Sequence, residues 1–147
     1  MQIALDHARA AAVVGEVPVG AVVVSPEGEI IGIGHNDREN SHNPIGHAEI
    51  IALSQAATNL GTWRLDDCTL VVTLEPCTMC AGAIVQSRVS RLVFGAFDEK
   101  AGAVGSLWDV VRDRRLPHRP EVVSGVLAQE CAQILSDFFA TTRNSKS

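Results

Sequence analysis

The sequence predicts an α/β fold: three layers, α/β/α, around a mixed five-stranded sheet with helices on both faces. Three observations predict it. Short apolar runs rich in β-branched residues, such as "VPVGAVVVS" and "CTLVVTL", alternate with longer segments whose apolar residues recur at helical spacing. The connections between them are short, which favours parallel strands with helical crossovers in the second half of the chain. The first two apolar runs are separated only by "PEG", which makes them a hairpin and the sheet mixed.

Taken in order, residues 2–14 are alanine-rich and helical in pattern. Residues 17–25 read as a strand, 26–28 as a turn, and "EIIGIGH" at 29–35 as the returning strand. Residues 36–46 hold Asn36, Asn40, Ser41, Asn43, Pro44 and Gly46, a loop composition. From His47 to about Asn59, Ile50, Ile51, Leu53, Ala56, Ala57 and Leu60 keep a helical period, and Gly61 ends the helix. Residues 68–74 read as a fully buried strand, and a helix starts after Glu75-Pro76 and runs to about Arg88. "RLVFGAF" at 91–97 is the fourth strand, and 98–106 is a glycine-rich loop. "LWDVV" at 107–111 reads as a short helix, "EVVSGV" at 121–126 as the last strand, and 127–143 as an amphipathic helix.

The chain has 147 residues, 46% hydrophobic and 20% charged, the profile of one globular domain spanning 1–147. No apolar run approaches the ~18 residues of a membrane helix, and the amino terminus lacks the order of a signal peptide. The expected location is the cytoplasm. Cys68, Cys77, Cys80 and Cys131 then stay reduced, which favours metal or redox chemistry over a disulfide framework. The net charge of −5 argues against indiscriminate nucleic-acid binding. Arg112, Arg114, Arg115 and Arg119 nevertheless cluster within residues 111–120, alone a solvated loop.

Cys77 and Cys80 fall at a predicted helix start, where a step of three puts both sulfurs on one face. Taken alone, this pair fits zinc, thiol exchange or coincidence. His47 alone fits an ordinary surface or core histidine. Glu49 changes that reading, because His-x-Glu is the partner of Pro-Cys-x-x-Cys in zinc deaminases. A step of two residues turns a helix by ~200°, so His47 and Glu49 meet one site only off the helix end. Both lie in the first turn. Parallel strands would deliver both helix starts to one sheet edge, where open α/β sheets gather ligands. One imidazole and two thiolates make three protein ligands and leave a fourth position for water, with Glu49 beside it. Thioredoxin-like chemistry has no use for the His-x-Glu.

These residues resemble the bacterial tRNA adenosine deaminases, a branch of the cytidine-deaminase superfamily. The likeness runs nearly the whole chain, through "EVPVGAVVV", "HAEIIAL", "TLEPCTMCAGAI", "FGAFDEKAGAVGSL" and "SDFF". It implies a cytidine-deaminase-like fold and one Zn2+ per subunit held by His47, Cys77 and Cys80. It also implies hydrolytic conversion of adenosine to inosine at the wobble position of an anticodon. A zinc-bound hydroxide attacks C6, Glu49 shuttles protons, and ammonia leaves. For the substrate side it implies Asn36 and Val17 in the base pocket, Asp98 and Lys100 against neighbouring nucleotides, and Phe138 and Phe139 near the RNA. The implied partners are a tRNA anticodon loop, usually of an arginine tRNA, and a second copy in a homodimer. With an RNA substrate, residues 111–120 and the Arg143–Lys146 tail become candidate RNA contacts. The alternative is a zinc deaminase of a free base or nucleotide: guanine, cytosine or cytidine. A zinc protein without activity would have no use for an unligated Glu49. Ile45-Gly46 stands where the family carries Thr-Ala, Phe97 where it carries a polar or basic residue, and the first helix starts almost at Met1. Cys68 and Cys131 read as small buried hydrophobes, and Trp63 and Trp108 as packing or interface residues.

Overall fold

The chain folds in the order α1 (Gln2–Val13), β1 (Gly20–Val24), β2 (Ile30–His35), α2 (Ala48–Leu60), β3 (Thr69–Leu74), α3 (Thr78–Ser87), β4 (Arg91–Ala96), β5 (Glu121–Val123) and α4 (Ala128–Ser145). The structure is a computed structural model and describes residues 1–145. The strands form one sheet in the order β2-β1-β3-β4-β5. β1 is antiparallel to both β2 and β3, while β3, β4 and β5 are parallel. The predicted mixed sheet, its five strands and its α/β class are all present.

Side chains alternate across a strand, and that alternation builds both outer layers. Ala21, Val23, Leu70, Val72, Leu92 and Phe94 point to one face, where Ala48, Ala52, Ala56, Ala81 and Ile84 of α2 and α3 meet them. Val22 and Val71 point to the other face and meet Ala4 of α1. Leu5 of α1, Ala96 and Cys131 of α4 complete that second layer. Cys68 and Cys131 are fully buried and free, as small hydrophobes should be.

One contact sets the height of α2 above the sheet. α2 turns Ala48, Ala52 and Ala56 towards Gly32 and Gly34 of β2, and a β-carbon on Gly34 would collide with the Ala48 carbonyl oxygen. The helix lies on bare backbone. Gly61 ends it as predicted, with φ 72° and its N–H bonded to the Ala57 and Thr58 carbonyls.

Two expected strand boundaries move by three residues, and one expected helix is absent. β1 begins at Gly20 and not at 17, because Pro18 has no N–H for a ladder and the Val19 N–H turns back onto the Val17 carbonyl at 2.9 Å. β5 stops at Val123. "LWDVV" is not a helix: Val104 pairs with Asp109 as an isolated bridge and the Gly105 N–H bonds the Trp108 carbonyl at 2.9 Å. Within that stretch only Val111 is fully buried, while Leu107 and Trp108 are exposed. Among the described residues no helix is long and apolar enough to cross a membrane.

Candidate active site

Because β1 opposes both of its neighbours, β2 and β3 run in the same direction and end at the same sheet edge. The helix after each starts there. His47 is the N-cap of α2 and Cys77 the N-cap of α3, both with extended backbone and neither using its side chain as a cap. Each side chain therefore turns off its helix end into the space between. Cys80 follows one turn into α3 and is fully buried. Nδ1 of His47 lies 3.6 Å from Sγ of Cys77 and 3.5 Å from Sγ of Cys80. All three donor atoms lie within 4.8 Å of one another.

These distances test the fit of a metal. Zinc binds sulfur at ~2.3 Å and imidazole nitrogen at ~2.0–2.1 Å, so a tetrahedral angle separates two such donors by about 3.6 Å. The observed spacings match, and the donor set of two soft sulfurs and one imidazole suits zinc. The protonation of the metal-free trio points the same way. A hydrogen bond from Cys80 holds the Cys77 thiol down to about 4, against burial and with help from His47. Cys80, the donor in that bond and deeply buried, is pushed far up. His47 is raised by its hydrogen bond to Cys77, against burial. Metal binding to thiols and an imidazole releases the protons they hold, so a cation entering this trio would displace them.

Glu49, in the first turn of α2, is 4% exposed. Burial pushes its carboxyl up to about 7, with the Cys77 charge adding to the rise and its own backbone N–H, His47 and Cys80 opposing it. It sits beside the donor trio without belonging to it. A cleft of about 220 Å³ opens above these groups, with Val17, Val19, Asn36 and Arg38 on one wall and Leu74, Asp98 and Ala101 on the other. The volume admits one nucleobase.

The family model described as "MafB19-like deaminase" matches residues 1–143, the stretch that contains this site. The chain belongs to that deaminase family. Two relatives named tRNA-specific adenosine deaminase share 51% identity (Bacillus subtilis) and 53% identity (Haemophilus influenzae), each over 99% of this chain and over 90% and 84% of their own length. Among solved structures, one from a study of A-to-I editing by tRNA:A34 deaminases at the wobble position matches with TM-score 0.86 and 42% identity, covering 92% of this chain and 97% of its own. A guanine deaminase from Nitrosomonas europaea matches with TM-score 0.77 and 28% identity, covering 95% of this chain and 82% of its own. The cytidine-deaminase-like architecture expected from the motifs is therefore the architecture of this deaminase.

Of the substrate-side residues named from the sequence, the deaminase brings Val17, Asn36 and Asp98 to the cleft. Asn36 donates from Nδ2 to the Val17 carbonyl at 3.3 Å and accepts the Arg38 N–H at Oδ1, also at 3.3 Å. Lys100 is exposed outside the cleft, and its N–H bonds the Asp98 carboxylate at 3.1 Å. Phe138 and Phe139 lie on α4, across the sheet from α2 and α3, their rings edge to face at 5.5 Å.

Sequence reasoning missed Arg38, which lines the cleft, and two buried acids, Glu16 and Glu75. Both oxygens of Glu16 accept the Glu39 N–H, at 2.8 and 3.1 Å, and so tie down the 36–46 loop. Glu75 accepts the N–H groups of Asp98 and Val104 at 3.0 Å and of Ser106 at 3.1 Å, together with the Ser106 hydroxyl. Burial raises its carboxyl, but these donors together hold it below the usual range. A signal for Glu75 existed: an acid set directly after a mostly apolar strand, four of whose six residues are buried, has little solvent to face.

The arginine cluster is less free than its sequence implies. Arg112 pairs with Asp109, Arg115 pairs with Asp113 at 2.6 Å, and Arg119 bonds the carbonyls of Arg114 and Leu116 at 3.3 Å. Lys146 lies outside the described residues. Neither tryptophan packs in the core: Trp63 is exposed, with the Arg64 and Arg88 guanidinium groups 5.6 and 5.9 Å from its ring centre, and Trp108 is exposed and donates to the Thr78 hydroxyl at 3.0 Å.

Proposed function

We propose that this deaminase hydrolyses the wobble adenosine of a tRNA anticodon to inosine and releases ammonia. One observation carries the reading. His47, Cys77 and Cys80 meet at tetrahedral zinc spacing under a cleft of one base, with the buried carboxyl of Glu49 beside them. Identity of 51–53% to relatives named tRNA-specific adenosine deaminase supports the RNA substrate.

His47, Cys77 and Cys80 would hold one zinc per subunit, which supplies a Lewis acid that makes water reactive near neutral pH. Glu49 does the proton work. It removes one proton from the attacking water and delivers it to N1 of the adenine, then takes the remaining proton from the new C6 hydroxyl and gives it to the amine, which leaves as ammonia while C6 becomes a carbonyl. A carboxyl lifted to about 7 is poised to take and return a proton. Asn36 and the Val17 carbonyl offer polar groups to the base edge, and Arg38 places a cation at the rim for a phosphate. A loop nucleotide is already partly unstacked, so swinging it into the cleft costs little. Lys100, Phe138, Phe139 and residues 111–120 then meet RNA outside the cleft. The working unit is a cytoplasmic homodimer of one-domain subunits acting on an arginine tRNA.

The likeness to a guanine deaminase favours one second reading, a free-base deaminase with the same chemistry. Incubation with transcribed tRNA and with free guanine, cytosine and cytidine separates the two. Inosine is read as guanosine on reverse transcription, so the expected result is an A-to-G change at the wobble position only. It disappears when the metal is stripped and returns with one equivalent of zinc. Turnover of a free base with unaltered tRNA would establish the second reading instead.

Charge reversal of Arg114 and Arg115 checks the outer contacts. Each lost phosphate contact lowers the slope of log affinity against log salt by about 1. The expected result is weaker tRNA binding with a flatter salt dependence; unaltered binding removes residues 111–120 from the RNA surface.

A further inference from the structure

The cleft has two unlike walls. The wall of residues 17–38 rises from β1 and β2, while the wall of Asp98 and Ala101 belongs to a loop without regular structure. What fixes that loop is the segment that carries the thiolates. The Ala103 N–H bonds the Pro76 carbonyl at 2.8 Å, and Gly102 pairs with Cys77 as an isolated bridge. Between β3 and those residues stands Glu75, 2% exposed. Its Oε1 takes the Asp98 N–H and the Ser106 hydroxyl, and its Oε2 takes the Val104 and Ser106 N–H groups. The loop lies so close that a β-carbon on Gly102 would collide with the carboxylate itself. A single side chain gathers both ends of residues 98–106.

We propose that Glu75 is a positioning residue: its carboxylate clamps residues 98–106 into the second cleft wall and so sets how the RNA around the target base is gripped. The proposal rests on the RNA-deaminase reading for its substrate and on the hydrogen bonds alone for its mechanism. The wall touches RNA in the ground state and the transition state alike, so its loss removes uniform binding and raises KM with little change in kcat. The hydrogen bonds to the Glu75 carboxylate come from Asp98, Val104 and Ser106 and none from His47, Cys77, Cys80 or Glu49, while the loop meets the donor segment through its own pairing with Pro76 and Cys77.

Glutamine is the telling substitution because it keeps shape and removes acceptors. Its amide oxygen can serve the Val104 and Ser106 N–H groups in the place of Oε2. Its NH2 then faces the Ser106 hydroxyl, which can rotate to accept, and the Asp98 N–H, which cannot. Glu75→Gln therefore frees Asp98 in particular, the hydrogen-bond partner of the carboxylate that lines the cleft, which Ala101 and Glu75 itself also border.

The test uses zinc-loaded full-length protein and an anticodon stem-loop. Glu75→Gln should raise KM roughly tenfold, the size expected for lost charge-assisted hydrogen bonds, with kcat within about threefold and zinc content unchanged. Hydrogen–deuterium exchange of residues 98–106 should accelerate about tenfold or more, with residues 46–60 unaffected. Ser106→Ala, which removes one hydroxyl donor and leaves every backbone donor, should move both readouts the same way by a smaller factor, and it serves if Glu75→Gln does not fold. A fall in kcat at constant KM, a loss of zinc, or unchanged exchange in 98–106 overturns the proposal. Exchange needs no substrate, so a protein that edits no tRNA yet shows the faster loop would sink the functional reading and keep the clamp.

Discussion

Glu49→Gln removes inosine formation by roughly 10²–10⁴-fold, the usual contribution of one positioned acid–base group. The same change makes the metal-free protein more stable at neutral and alkaline pH. Burial raises the folded carboxyl from 4.5 to about 7. A raised carboxyl means that the folded state holds its proton more tightly than the unfolded chain. Stability is then lost as pH climbs from 4.5 towards 7 and stays low above that window, by roughly 3 kcal/mol in all. Glutamine carries no charge and escapes that loss. At about 2–4 °C per kcal/mol for a chain of this length, calorimetry of chelator-treated protein should find the variant some 6–12 °C higher in Tm at pH 8 and level with the parent near pH 4. A difference that does not grow with pH would show that the buried group is not ionising there. The bound cation should shrink the gap, since it offsets the carboxylate charge. In the function proposed above, Glu49 is held at a cost to the fold, a common trade between stability and activity.

Gly34→Ala is the second large effect. The new β-carbon meets the Ala48 carbonyl oxygen and stands 2.9 Å from the Ala52 nitrogen. Both are main-chain atoms of α2, so no rotamer change relieves the overlap. The helix must lift off β2, at a cost of about 3 kcal/mol, the upper part of the range for overpacking. Ala48 lies between His47 and Glu49, so the lift carries the imidazole away from the two sulfurs. Zinc affinity should fall at least tenfold by competition with a chromogenic chelator, a loss that simple destabilisation far from the site would not produce. Gly82→Ala in α3 is the matched control. A β-carbon there meets nothing within 4 Å, so the substitution should be neutral or stabilising by about 0.5–1 kcal/mol. Equal zinc binding in the Gly34 variant and the parent would uncouple α2 height from the metal.

What was legible in the sequence was whatever repeats over a full element. α2 keeps its period through thirteen residues and ends on Gly61, as expected. Both helix starts were legible to within a residue: His47 and Cys77 stand one position ahead, as the N-caps of α2 and α3, and Glu49 and Cys80 lie in the first turns. "LWDVV" misled because five residues do not fix a period: Val111 is apolar for the core, while Leu107 and Trp108 are apolar on the surface. Glu16 and Glu75 escaped notice for another reason. Their donors sit 23 to 31 positions further along the chain, in loops whose return path no local pattern encodes. The same holds for the arginines of 111–120, whose acidic partners decide how much free charge remains.

The reversed strand β1 has a further consequence as a spacer. Adjacent strands lie ~4.8 Å apart, so β2 and β3, with β1 between them, are separated by roughly 10 Å. Packed helices need 8–10 Å between axes. Slotting one strand between two of like direction therefore matches the gauge of the sheet to the girth of the helices above it. Were β2 and β3 immediate neighbours, α2 and α3 would compete for the same volume. The lateral distance from His47 to Cys77 and Cys80 is thus set by strand spacing, and the loops around the cleft are free to diverge towards new substrates while those three side chains keep that span.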